Sequence, residues 1–294
     1  MEKKIVLAID FNNFLFGSYY GEKLINSNGI NVNAVKGFFL KLRSLNDIFD
    51  PDYVVFANDL SRTKTFRRKL YKPYKAQRKP QDTDISTQMR IASSIAVMMG
   101  YQFNNNELYE ADDILGMIAK LSNENDMICI IVSTDRDLYQ LINENTYIYN
   151  HRNKEIIDND VLMERYHLTP EQWIELKMLQ GDRSDNIPGI PGIGEVTALQ
   201  LMQQFGSIDG IYNNLTKIKP KPREILINNK NVLPLTRELV TIITDYTKIN
   251  LTLDDIKCIR GNKEDIYNEI KENELFSLYY VVDDLLNSKS MTTI

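Results

Sequence analysis

The chain has 294 residues, 43 % of them hydrophobic, and a formal net charge of −5, enough for a large α/β core and a smaller appendage. Its apolar runs, Ile128–Val132 among them, are far short of a membrane span, and no charged-then-apolar leader opens it. Cys129 and Cys258 do not make a disulfide framework, so a reducing, cytoplasmic setting and no membrane partner are expected.

Three short β-branched runs, Ile5–Ile9, Tyr53–Ala57 and Ile128–Val132, predict strands buried on both faces of a parallel sheet. Among them, Val35–Ile48, Ile85–Met99 and Ala111–Leu121 carry apolar residues at helical spacing, and acids open the last at its positive end. That alternation predicts a doubly wound sheet. After the second strand comes a basic strip of nine residues: Arg62, Lys64, Arg67, Arg68, Lys69, Lys72, Lys75, Arg78 and Lys79. The other 26 basic residues face 40 acidic ones, so this strip stands out on an acidic body. Phe66, Tyr71 and Tyr74 interleave with the cations, a pattern that suits unpaired bases and phosphates.

From about residue 160 the pattern turns helical. Thr169 caps a helix with Pro170 at its first position, and Glu195–Phe205, Pro222–Asn228 and Val232–Asp245 continue the run. Residues 287–294 form a polar tail, expected to fray. No internal repeat is found.

The acids gather on this frame. Asp10 ends the first strand, Asp59 follows the second by two residues, and Asp135 and Asp137 follow the third in VSTDRD. Ligand sites of open parallel sheets lie at the carboxyl ends of their strands, so these residues point to one edge. Glu110, Asp112 and Asp113 open a helix that can face the same edge, and Asp182 and Asp185 close the ring from the helical region. Singly, each acid reads as a turn former or cap. Together they repel one another and call for cations. Oxygen ligands with no nearby His or Cys suit Mg²⁺ or Mn²⁺ rather than zinc, because His151 and His167 lie in polar contexts without a flanking ligand pair. Two such ions serve in-line displacement at phosphorus.

Residues 181–198, GDRSDNIPGIPGIGEVTA, set Asp182 and Asp185 beside a turn punctuated by Gly189, Gly192 and Gly194. Such a turn before a helix frees backbone N–H groups for a phosphate. Lys177, five residues before Asp182, is a candidate DNA contact. The cluster Lys217, Lys219, Lys221 and Arg223 reads equally as an extended duplex track or a solvated loop.

From about Ile5 to Asp245 the chain resembles the 5′-nuclease family: the nuclease domain of bacterial DNA polymerase I, its stand-alone relatives and phage flap endonucleases. Five blocks carry the resemblance in order: AIDFNN, TFRRKLYKPYKAQR, YEADDILGMIAKL, IVSTDRDLYQLI and LQGDRSDNIPGIPGIGEVTA. It implies a PIN-like α/β nuclease core over residues 1–165 with a basic helical arch at about 60–84. A helical region over 166–286 would carry a helix-hairpin-helix (H3TH) DNA-binding element. The implied activity is 5′→3′ exonuclease and flap endonuclease hydrolysis in primer or flap removal during replication and repair.

The resemblance also assigns residues. Asp10, Glu110, Asp112, Asp113, Asp135, Asp137, Asp182 and Asp185 match the acids that hold two divalent ions, with Asp59 as the second-strand ligand. Lys75 and Arg78 match arch residues that approach the scissile phosphate. Arg67, Tyr74, Lys177 and the hairpin glycines are expected on DNA, with K⁺ at the hairpin. A monomer acting on flapped, nicked or gapped DNA, or on RNA–DNA hybrid, is implied, and a free-standing enzyme is expected because no polymerase domain follows. Three departures stand out: Gly17 replaces an arginine common in the family, one more residue than usual separates Asp59 from the TFR segment in VVFANDLSRTKTFR, and Val196 replaces a hairpin lysine. Set against this reading are a catalytically weakened junction-binding relative and a PIN-like ribonuclease. The full acid set counts against the first, and the hairpin and basic strip against the second.

Overall fold

Strand β1 (Ile5–Asp10) lies at the centre of a six-stranded sheet. Around it are β2 (Tyr53–Ala57), β3 (Gln102–Asn104), β4 (Ile128–Val132), β5 (Thr146–Asn150) and β6 (Glu155–Ile157). Their order is β3-β2-β1-β4-β5-β6, parallel except for β6. The chain reverses its winding at β1 and β4, which leaves a crevice at their carboxyl ends. This computed structural model describes residues 2–60, 63–79 and 82–292; Arg62 of the basic strip lies outside the described residues.

The three predicted strands are β1, β2 and β4. The other three escaped notice because β3 and β6 are three residues long and β5, TYIYN, alternates weakly. The helices are α1 (Phe11–Tyr19), α2 (Asn33–Phe49), α3 (Phe66–Leu70), α4 (Thr83–Met99), α5 (Ala111–Glu124), α6 (Asn159–Tyr166), α7 (Pro170–Gln180), α8 (Glu195–Phe205), α9 (Ile208–Asn213), α10 (Pro220–Asn228), α11 (Leu233–Val240), α12 (Lys263–Glu272), α13 (Tyr279–Leu286) and α14 (Lys289–Thr292). Asp10 starts α1 by accepting from the Asn13 N–H at 3.1 Å, an N-cap inside a site motif. The helix expected over Val232–Asp245 stops at Val240. There the backbone carbonyls of Leu239 and Thr241 accept from buried Arg67, and the Ile243 N–H donates to Asp113.

Two apolar cores flank the sheet. One joins α5 to the helical region through Leu168, Trp173, Ile190 and Leu226. The other joins α1, α2 and α4 to the last helices through Phe38, Leu42, Ile266, Leu278 and Val282. The sequence division at residue 165 therefore does not describe the packing of the C-terminal end, which returns to the sheet. The tail is not frayed over its described part: Ser290 and Met291 are buried at α14. Among the described residues no helix is long and apolar enough to cross a membrane.

Candidate active site

The carboxyl edge of the sheet brings Asp10, Asp59, Asp112 and Asp135 together. Asp10 also accepts from Ser133 Oγ at 3.1 Å. Burial pushes its pKa up to about 7, and the charges of Asp59 and Asp135 add to the rise against the opposing Asn13 N–H. Asp112 is held well above the usual range by burial, then by Asp135 and Asp10. Asp59 accepts from the first N–H of α5, that of Ala111, at 2.8 Å. Asp135 caps the short 3-10 turn Arg136–Leu141 by accepting from the Asp137 N–H.

A second arc carries cations. Lys75 Nζ donates to Glu110 Oε1 at 2.6 Å and lies 3.5 Å from Asp185 Oδ2. Arg78 pairs with Asp185. Lys177 pairs with Asp137, and with Asp182 Oδ2 at 3.0 Å. Burial works against the charge on Lys75, yet Glu110 and Asp185 raise its pKa. Asp182 is held below the usual range despite burial, because Ser184 and Lys177 bond its carboxylate. Asp137 is pushed up to about 6 by burial and by Asp135, against the pull of Lys177.

Four expectations are corrected by this geometry. Asp113 does not face the edge. It is fully buried, closes the capping box of α5 and takes Arg67 through two bonds of 2.6 and 2.8 Å. Arg67 is likewise buried and cannot reach DNA, because its guanidinium also binds the carbonyls of Leu239 and Thr241. Tyr74 offers no open ring for a base: it is buried, and its phenol donates to Glu110 Oε2 at 2.6 Å. Lys177 is committed to the acids rather than to solvent. Of the basic strip, Arg67 of α3 is therefore a structural residue, and Lys75 and Arg78 are the cations paired with the acid edge.

The segment carrying Lys75 and Arg78 is joined to the hairpin. The Lys75 N–H donates to the Asp185 carbonyl at 2.8 Å, Asn186 Nδ2 to the Pro73 carbonyl at 2.8 Å, and Gln77 Nε2 to the Ser184 carbonyl at 3.0 Å. Asp182 and Ile187 close the intervening loop by exchanging backbone bonds of 3.0 and 2.7 Å. Gly189 packs on Gly181, where an added Cβ would meet the Gly181 nitrogen at 2.3 Å, so it serves loop closure rather than a ligand. Gly192 and Gly194 are exposed at the turn into α8, and Val196 beside them is 71 % exposed. Arg136 and Glu195 bridge the acid edge to this helix at 3.1 Å. A cleft of about 790 Å³ runs between them.

Sequence reasoning missed Asn13, Thr134, Lys41 and His151. Asn13 Oδ1 accepts from the Thr134 N–H at 3.0 Å and bonds His151 Nε2 at 3.0 Å. Asn13 and Thr134 stand beside recognised acids, a signal available in the sequence. Lys41 and His151 arrive from α2 and the end of β5 and carry no local signal. His151 is not in a surface context: half-buried, it makes an edge contact with Phe14, and burial lowers its pKa to about 4.

Among the described residues no three His, Cys, Asp or Glu side chains are already closed around one ion position. The donor set nevertheless suits a divalent ion: the groups are all oxygen, and Asp10 and Asp112 are crowded with no bonded cation among the described residues.

An open α/β sheet with an acid carboxyl edge, basic side chains at its mouth and a Gly-rich hairpin beside it defines a protein whose donors suit divalent ions and phosphates. The chain belongs to the 5′-3′ exonuclease family: the model of its N-terminal resolvase-like domain matches residues 5–167 and that of its C-terminal SAM fold residues 168–264. It is 36 % identical over 266 residues to DNA polymerase I of Streptococcus pneumoniae, covering 87 % of this chain and 30 % of that protein. It thus spans about a third of the curated relatives it matches. The bacteriophage T5 D15 flap endonuclease, solved with DNA and metal ions, shares the fold with a TM-score of 0.68 and 19 % identity, covering 95 % of this chain and all of that one. Flap endonuclease-1 of Methanococcus jannaschii does so with a TM-score of 0.65 and 18 % identity, covering 98 % and 93 %.

Proposed function

We propose that the protein is a divalent-metal-dependent 5′→3′ exonuclease and flap endonuclease that hydrolyses phosphodiester bonds at 5′ ends and single-strand/double-strand junctions during replication and repair. One observation carries this reading: the loop that presents Asp182 and Asp185 is bonded to the segment that presents Lys75 and Arg78 and runs directly into the hairpin. Acid edge, phosphate cations and duplex anchor thus form one body. Family membership and the DNA and metal ions bound by the T5 endonuclease support it.

Asp10, Asp59, Glu110, Asp112 and Asp135 would hold one Mg²⁺ or Mn²⁺, and Asp135, Asp137, Asp182 and Asp185 the other. Bound there, the ions supply activation of water and neutralisation of charge at the phosphate. The protein's own share is positional. Exposed backbone N–H groups at Gly192 and Gly194 hold a duplex phosphate at the positive end of α8, with K⁺ as a candidate companion. Contacts of this kind read shape rather than sequence. Lys75 and Arg78 turn from Glu110 and Asp185 to the non-bridging phosphate oxygens and stabilise their charge as the bond to the leaving 3′ oxygen breaks. The products are a 5′-phosphate and a 3′-hydroxyl. We place the enzyme in the cytoplasm as a monomer on DNA or RNA–DNA hybrid, a setting that suits its two buried free cysteines.

The test is a labelled 5′-flap duplex incubated with Mg²⁺, with EDTA and with Asp185→Asn protein. Cleavage at the junction with Mg²⁺ alone is expected. Wild-type protein that binds the flap and leaves it whole in both Mg²⁺ and Mn²⁺ overturns the reading.

A further inference from the structure

A pair of cations near His151, which Asn13 links to Asp10, remains outside this mechanism. Lys41, from α2, donates to the Phe14 carbonyl and lies 4.3 Å from the centre of the Phe14 ring. That bond uses one of three ammonium N–H groups and leaves two. Its charge is depressed by burial alone, to a pKa of about 8, with no acid among the causes. Arg152, exposed beside His151, likewise has no carboxylate partner among the described residues. Two uncompensated cations thus share a region on a sheet edge otherwise crowded with acids.

The placement of Lys41 and His151 depends on Gly17. A Cβ there would stand 2.7 Å from His151 Cε1 and 3.1 Å from Lys41 Nζ. Both side chains therefore converge over a position that carries no side chain, and any other residue would push them aside. His151 is fixed by Asn13, whose backbone N–H bonds Asp10 and whose amide bonds Thr134. One short chain of contacts therefore ties Lys41 and His151 to the acid edge. An ammonium with two spare donors and a guanidinium suit a phosphate group.

We infer that Lys41 and Arg152, framed by Gly17 and His151, bind a phosphate of the substrate strand next to the one that is cut. The inference rests on the nuclease reading above. The same chemistry fits an internal diester or a terminal 5′-phosphate, and the two are separable.

The experiment measures binding of 5′-flap duplexes in EDTA across a salt series, with 5′-phosphate and 5′-hydroxyl ends. It uses wild-type protein and the Lys41→Met, Lys41→Arg and Arg152→Ala variants. Lys41→Met should weaken binding roughly five- to tenfold and flatten the slope of log K against log salt by about 0.7, one single-strand phosphate contact. Lys41→Arg should restore the slope, and Arg152→Ala, an exposed position that does not threaten folding, should show a smaller loss in the same direction. Equal loss on both substrates assigns an internal diester; loss only with the 5′-phosphate assigns the terminal group. Wild-type slope and affinity in both Lys41→Met and Arg152→Ala overturn the inference while leaving the nuclease reading intact. Failure of wild-type protein to bind any flap defeats that reading instead, and this one with it.

Discussion

The two arcs of the acid edge differ in what neutralises them. Asp10, Asp59 and Asp135, at the ends of β1, β2 and β4, and Asp112, at the start of α5, crowd one another with no bonded cation among the described residues; burial, with the neighbouring acids adding to it, raises the pKa of Asp10 and Asp112. Glu110, Asp137, Asp182 and Asp185 are each held by Lys75, Arg78 or Lys177. On the proposed reading, the first arc takes up a cation from solution. The second keeps its own cations in place, and on the proposed reading Lys75 and Arg78 turn to a phosphate when an ion takes over the acids. The same edge therefore stores charge in two forms, one latent and one exchangeable.

The sharpest way to break this comparison is to remove an acid from the first arc. Asp112→Asn should lower cleavage of a 5′ flap by about a thousandfold, or about 4 kcal/mol of barrier, with flap binding in EDTA unchanged or tighter. In the second arc, Lys75→Ala should lower kcat by about a hundredfold and change affinity only a few fold. Single-turnover cleavage alongside equilibrium binding measures both. Equal effects on binding and rate in Lys75→Ala would show that this lysine is an anchor rather than a participant.

Asp10 and Asp182, one from each arc, also oppose each other in pH. A carboxyl such as Asp10, with a folded pKa near 7, binds its proton more tightly in the fold. Its stabilising effect is complete below 3.8, the unfolded value, and is lost as pH rises through about 7. Asp182 is shifted downward, so its contribution is present above 3.8, its unfolded value, and disappears as pH falls below it. In EDTA, thermal stability should therefore decline between about pH 4 and 7, by on the order of a few kcal/mol. Mg²⁺ should restore more stability at pH 8 than at pH 5, since proton and ion compete for the first arc. Calorimetry with and without Mg²⁺ distinguishes this from a flat profile, which would mean the first arc is not crowded.

How much of this was legible depends on the range of the signal. Asp10, Asp59, Asp135 and Asp137 were placed correctly at strand ends because a buried parallel strand announces itself as a β-branched run and its end is read from the sequence. Asp113 was misplaced because ADD at a helix start does not say which acid turns inward. That is decided by Arg67, 46 residues away in sequence, and by the carbonyls of Leu239 and Thr241 farther on. The basic strip misled in the same way: composition marks a run of cations and is blind to the one that folds inside. Lys41 meets His151 only because α2 packs on α1 and Gly17 lacks a side chain, a three-body fact with no local pattern.

The smallest effect tests the hairpin against both arcs. Val196 is 71 % exposed in the first turn of α8, next to Gly194 and Glu195, and contributes no charge where a phosphate is proposed to sit. Val196→Lys should steepen the salt dependence of duplex binding by about one unit and tighten binding about threefold. The same lysine sits at the positive end of a helix and should cost about 0.5 kcal/mol of stability. Cleavage at saturating substrate should not change, because the hairpin sets where the duplex lies and not how the phosphate reacts. A rise in kcat without tighter binding would place Val196 within reach of the reacting phosphate and move the boundary between anchor and acid edge drawn above.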